Sequence, residues 1–216
     1  MKFVFTILKD IKVADYFTFL NMVFGFLAIY FLFSNEINTS ISLLYLAAIM
    51  DGVDGIIAQN TEKSLLGKNL DSLSDIVSFG VYPAILISRI NSMFIFASSL
   101  YLLTGVLRLA RFNVLEREDF VGCPITVSAL ILASEVLLKF DAILILITIL
   151  LLSFLMISDI NYPKVRKKGI LTLAGLVILI TMLFHSVAYL IILGMILYIL
   201  YPGFKKLSAV LQFKHE

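Results

Sequence analysis

The sequence predicts an all-α protein: a polytopic membrane helix bundle of about eight transmembrane helices, with a short amphipathic helix at the N-terminus lying on the interface. Three observations predict it. Of 216 residues, 61% are hydrophobic, and the mean hydropathy of +1.03 is beyond the range of ordinary soluble domains. The apolar residues gather in eight runs, each near the length of about 20 residues that a spanning helix needs. The basic residues fall almost wholly on alternate breaks between these runs, as cytoplasmic loops require.

In chain order, residues 1–15 set apolar Phe3, Val4, Ile7, Leu8 and Ile11 against Lys9, Asp10 and Lys12, a pattern for a helix lying in the headgroup plane. The spans then run from Tyr16 to Phe33, Ile41 to Gln59, Leu70 to Ser88, Met93 to Phe112, Pro124 to Leu138, Ala142 to Ser158, Gly169 to Phe184 and Val187 to Tyr201. The first is longer than a signal-peptide core and no small-residue cleavage site follows it, so it is expected to stay attached. Residues 16–216 read as one membrane domain without linker, low-complexity tract or internal repeat, which speaks against a transporter built from inverted halves.

With the N-terminus inside, 17 Lys and Arg residues divide so that Arg89 and Lys139 alone fall outside. An integral protein of the cell membrane with both termini cytoplasmic follows. The net charge of +2 therefore reports a one-sided distribution facing anionic headgroups, and no nucleic-acid partner is expected. The single cysteine, Cys123, excludes an intrachain disulfide and reads as a packing residue.

Charges inside spans are costly and usually functional. Asp51 and Asp54 stand at i, i+3, and Asp71 and Asp75 at i, i+4, so on helices each pair shares one face. The short segment between Asn60 and Asn69 makes the second and third spans an antiparallel hairpin, bringing four carboxylates together about two turns below the inner helix ends. Four such groups repel and would take up protons unless cations neutralise them. Two divalent ions do so, and oxygen ligands select Mg²⁺ or Mn²⁺. Gly52, Gly55, Ala58 and Gly67 keep the surroundings small, leaving a groove for a nucleotide or diphosphate.

The pattern Asp51-x-x-Asp54-Gly55-x-x-Ala58, then Gly67-x-x-x-Asp71-x-x-x-Asp75, resembles the signature of the CDP-alcohol phosphotransferase family. The resemblance implies a six-helix core in a homodimer, a CDP-linked lipid donor and two bound metals. It implies Asp51, Asp54 and Asp71 around one ion, Asp51, Asp71 and Asp75 around the other, and Asp75 as general base. Gly55 and Ser64 match positions that contact the donor's nucleotide and phosphates, in a donor site that Ala58, Gln59 and Gly67 complete. Where the family usually has Arg, this chain has Gln59, which lacks the charge and the bidentate fork; Lys63 or Lys68 is the candidate substitute.

The strings from Asp71 through Ser78, Phe79, Gly80 and Pro83, with Arg108 to Asn113, Gly122 to Pro124 and Ser158 to Pro163, resemble the serine-using branch of that family. The acceptor would then be L-serine, its carboxylate held by Arg108 and Arg111, since Arg suits carboxylates. The implied reaction is in-line attack of the serine hydroxyl on the lipid-side phosphorus with CMP leaving, on ester-linked or ether-linked lipid alike. The alternatives are inositol or glycerol phosphate as acceptor, or, in another class, a cation transporter or channel, which would spread its acids across membrane depth. Lys164, Arg166, Lys167 and Lys168 read as a positive-inside loop. Glu135 and Asp159 are expected to find structural partners, and His185 and His215 to lie on the surface.

Overall fold

A computed structural model of the chain describes residues 9–61, 64–115, 119–165 and 167–212, with side chains to Lys205. Most of the expected interfacial helix, along with Lys63 and Arg166, lies outside the described residues; Lys9 and Asp10 form a short 3₁₀ turn. The chain then runs through α1 (Val13–Phe33) and α2 (Ile37–Ala58) to a continuous third rod. That rod joins α3 (Gly67–Asp75), a π-helical segment (Ile76–Val81) and α4 (Tyr82–Ile90). It continues through α5 (Ile95–Val114), α6 (Ile125–Leu137), α7 (Ala142–Ile157), α8 (Lys168–Leu183) and α9 (Ala188–Gln212). Two-residue strands β1 (Phe120–Val121) and β2 (Asn161–Tyr162) pair antiparallel, with Phe120 opposite Tyr162.

Each apolar run of the sequence lies in a helical rod. Among the described residues five rods are long and apolar enough to cross a membrane: Val13–Phe33, Ile37–Ala58, Gly67–Ile90, Ser92–Val114 and His185–Lys205. The protein is therefore an integral membrane protein. The helices α6, α7 and α8, with 13, 16 and 16 residues, are shorter than the about 20 of a full crossing. In α6 the run from Ser128 to Glu135 is buried without interruption, so this helix is surrounded by protein more than by lipid.

Close contact between α1 and the third rod positions everything that follows. A Cβ on Gly25 would lie 2.2 Å from Ser78 Oγ and 2.7 Å from Ser78 Cα, so only glycine lets the backbones meet here. At this crossing Ser78 Oγ donates to Asn21 O (3.0 Å) and Ser74 Oγ to Thr18 O (2.9 Å). The π-helical segment follows Asp75 and precedes Pro83. Proline has no N–H to give to the carbonyl four residues back, and Phe79 O instead accepts from Tyr101 Oη at 2.8 Å.

The bundle has two distinct ends. At one, Arg89 donates to Leu32 O and to Asn35 Oδ1, clasping the turn between α1 and α2, where Asn35 takes φ of 64°. At the other, Ser64 Oγ donates to Asp10 O and Lys68 Nζ to Asn113 O. The aspartates stand toward this second end, where α2 finishes and α3 begins.

Candidate active site

Asp51 and Asp54 occupy the last turns of α2, and Asp71 and Asp75 lie on α3. The hairpin brings all four together, as the spacing predicted. Carboxylate oxygens from Asp51, Asp54 and Asp71 lie within 4.8 Å of one another, and Asp75 faces Asp51 at hydrogen-bond range. Asp54 and Asp75 are only 7% and 6% exposed. Oxygen donors at this separation, half-buried or buried, fit a hard divalent cation, which takes carboxylates in preference to softer ligands.

Three hydroxyl or amide donors orient these acids. From α1, Thr18 Oγ1 donates to Asp54 Oδ2 at 2.6 Å and Asn21 Nδ2 to Asp75 Oδ1 at 3.2 Å. From α6, Thr126 Oγ1 donates to Asp51 Oδ2 at 3.4 Å. Each contact fixes one carboxylate oxygen, the usual office of such outer partners at metal sites. Sequence reasoning missed all three. The available signal was Thr18 and Asn21, polar residues at i, i+3 in an otherwise apolar run.

The acids form the floor of a cavity of about 880 Å³. Gly52, Gly55 and Gln59 border the floor, and a wall from α8 and α9 presents Ile170, Leu171, Ala174 and Met195. A Cβ on Gly52 or Gly55 would meet nothing within 4 Å, so these glycines leave open space beside the carboxylates. Ala58, Ser64 and Gly67 are not among the lining residues. Gly67 instead packs at the start of α3, where an added Cβ would lie 3.2 Å from both Asp15 Oδ1 and Ser64 Cβ.

The two arginines singled out by the sequence part company. Arg108 is 4% exposed, lines the cavity and has Asp75 and Asp71 as acidic neighbours. Its guanidinium lies 5.0 Å from the Phe120 ring centroid and 5.6 Å from that of Phe112, and its Nε has no hydrogen-bond partner. Arg111 does not line the cavity. It donates from Nη2 to Val121 O (2.8 Å), Ser158 O (2.9 Å) and Met156 O (3.1 Å), and from Nη1 to Asp159 Oδ1 at 3.3 Å. Met156 O and Ser158 O sit at the end of α7, where no further helical N–H reaches them, and Val121 O belongs to β1.

Gly122 makes that clasp possible. Its φ is +83°, and a Cβ there would lie 2.0 Å from Met156 O and 2.6 Å from Arg111 Nη2. Cys123, fully buried beside it, gives its N–H to Leu155 O at 3.0 Å. Burial pushes the Cys123 thiol up to about 11, against smaller opposing effects of Ser128 and Arg108. Glu135 pairs with Thr148 at 2.8 Å.

The family model for CDP-alcohol phosphatidyltransferase matches residues 11–154. The chain is 41% identical over 167 residues to the CDP-diacylglycerol–serine O-phosphatidyltransferase of Methanocaldococcus jannaschii, covering 76% of this chain and 80% of that one. It is 40% identical over 172 residues to the archaetidylserine synthase of Methanothermobacter thermautotrophicus, covering 74% and 72%. A CDP-diacylglycerol–serine O-phosphatidyltransferase of Bacillus subtilis is 32% identical over 157 residues, covering 68% and 87%. Because the matched stretch takes in α1 to α6 with every aspartate of the cavity floor, the chain belongs to the CDP-alcohol phosphatidyltransferase family.

Proposed function

We propose that the protein transfers the phosphatidyl or archaetidyl group of a CDP-linked lipid to the hydroxyl of L-serine and releases CMP. The observation that carries the reading is the convergence of four carboxylates at the foot of a cavity with an apolar wall. A diphosphate-bearing lipid has the matching shape: a charged head for the acids' cations and chains for the wall. The names of the relatives supply the acceptor.

In the reaction the serine oxygen attacks the lipid-side phosphorus, a phosphorus–oxygen bond forms, and the bond to CMP breaks. Asp51, Asp54, Asp71 and Asp75 would hold two divalent cations, Mg²⁺ or Mn²⁺, whose charge neutralises the donor's diphosphate. Asp75 accepts the hydroxyl proton, held in orientation by Asn21. Gly52 and Gly55 admit the nucleotide, and Gln59 offers the donor phosphates a neutral hydrogen bond. Arg108 takes the serine carboxylate, with a free Nε to give and a guanidinium matched to that geometry. Arg111 is left out of the substrate set, because its donors already meet β1 and the end of α7.

The one-sided basic residues support a cytoplasmic site and cytoplasmic termini, and the family resemblance supports a homodimer. A cation pathway is disfavoured, since the acids gather at one end of the bundle. The test is CMP release by purified protein with a CDP-linked lipid, Mn²⁺ or Mg²⁺, and serine, inositol or glycerol phosphate in turn. Serine-dependent release is expected; release with none of the alcohols would overturn the proposal.

A further inference from the structure

Resting on the reading of this site as a serine transferase, we propose that Lys164 pairs with Arg108 to form an anion subsite that takes the acceptor's carboxylate and selects serine among alcohols. Lys164 belongs to a basic loop that the sequence presents as a topological signal, yet it lines the cavity. Its Nζ lies 5.0 Å from the Phe112 ring centroid and 5.1 Å from that of Phe120. Arg108 lies against the same two rings, which are 5.6 Å apart and tilted by 47°.

Two cations thus face one aromatic pair, whose rings attract both. Both line the cavity, so an anion entering it meets the two. Arg108 is more than nine-tenths buried with Nε unpartnered, so it has a donor left to give to such a group. The loop is held in place from two sides. Phe120 pairs with Tyr162 across the strands, and Tyr198 from α9 stacks on Tyr162 and donates to Pro163 O at 3.0 Å. Lys164 follows directly, so its backbone is positioned before any ligand arrives.

Lys164 lies beyond residue 154, where the family match ends, and the acceptor is supplied by the names of the relatives. A carboxylate is what distinguishes serine from ethanolamine, which has the same hydroxyl and amine.

The experiment measures CMP release by the full-length protein, varying L-serine at saturating CDP-linked lipid and then the reverse, with ethanolamine as the acceptor lacking a carboxylate. Loss of one charge-assisted hydrogen bond predicts that Lys164→Ala raises the serine KM about 10-fold to 100-fold. The donor KM stays unchanged and the preference for serine over ethanolamine narrows by the same factor; Lys164→Arg retains most of it. Lys164→Gln, which keeps the chain length, is the second variant should the alanine protein fail to fold. An unchanged serine KM overturns the proposal, and a raised donor KM assigns Lys164 to the diphosphate and overturns it as well. If the wild-type protein uses another alcohol and not serine, it is the proposed function that fails.

Discussion

Thr18 on α1 donates a 2.6 Å hydrogen bond to Asp54 on α2, joining residues 36 positions apart at the floor of the cavity. The contact is buried, so its geometry is not loosened by water. Loss of an outer partner of this kind costs about 10-fold to 100-fold in metal affinity or activity. Thr18→Val should therefore raise the Mn²⁺ concentration needed for half-maximal CMP release by that factor, while Thr18→Ser, which keeps the hydroxyl, should not. Equal Mn²⁺ requirements for the two variants would remove the role assigned to this bond.

Asp75 has Asn21 as its donor and Asp51 as its neighbour. Replacing the carboxylate by an amide preserves size and one oxygen but removes the proton acceptor. Asp75→Asn should lower kcat by about 10²-fold to 10⁴-fold with the serine KM little changed. A kcat within a few-fold of wild type would mean that another group takes the proton.

Arg111 and Gly122 are predicted to act on stability. Alanine at Gly122 meets a positive φ and Met156 O at 2.0 Å, and should destabilise by more than about 1 kcal/mol. Arg111→Ala leaves carbonyls at the end of α7 without donors, a loss of about 1–3 kcal/mol each where they stay dry. Cys123 supplies the readout: its thiol is buried and held up at about 11, so a thiol-reactive dye labels it at neutral pH only as the fold opens. Both variants should label at lower temperature. Arg111→Ala that labels like wild type but binds serine more weakly would restore Arg111 to the substrate set.

Gln59 borders the cavity, whereas Lys68 gives its ammonium to Asn113 O at 2.9 Å and lies over Phe112. A charged hydrogen bond exceeds a neutral one by about 1 kcal/mol, so Gln59→Arg should lower the donor KM about fivefold. Lys68→Ala should leave the donor KM alone. A rise in donor KM for Lys68→Ala would show that Lys68 stands in for the missing arginine.

The aspartates were legible because two short-range rules sufficed. Spacings of three and four put each pair on one helix face, and a short connection forced the hairpin. Arg108 and Arg111 were not separable in this way. They are the same residue one turn apart on α5, and the difference between them is that the end of α7 reaches Arg111 while two phenylalanine rings enclose Arg108. Lys164 was illegible for a related reason. A cluster of lysines at an inner loop obeys the positive-inside rule wherever it points, and a two-residue strand pairing too short to read in sequence turns this one toward the cavity.

By itself, the sequence determined a helical membrane protein, the order of its rods and the hairpin carrying the four acids, because hydropathy and helical spacing act along the chain over a few turns. The tertiary structure decided which polar groups orient those acids, which arginine faces the cavity, which glycines open it and which lysine completes its wall. Those outcomes depend on contacts such as Gly25 against Ser78 and Thr18 against Asp54, where packing between distant helices chooses among side chains that local pattern leaves equivalent.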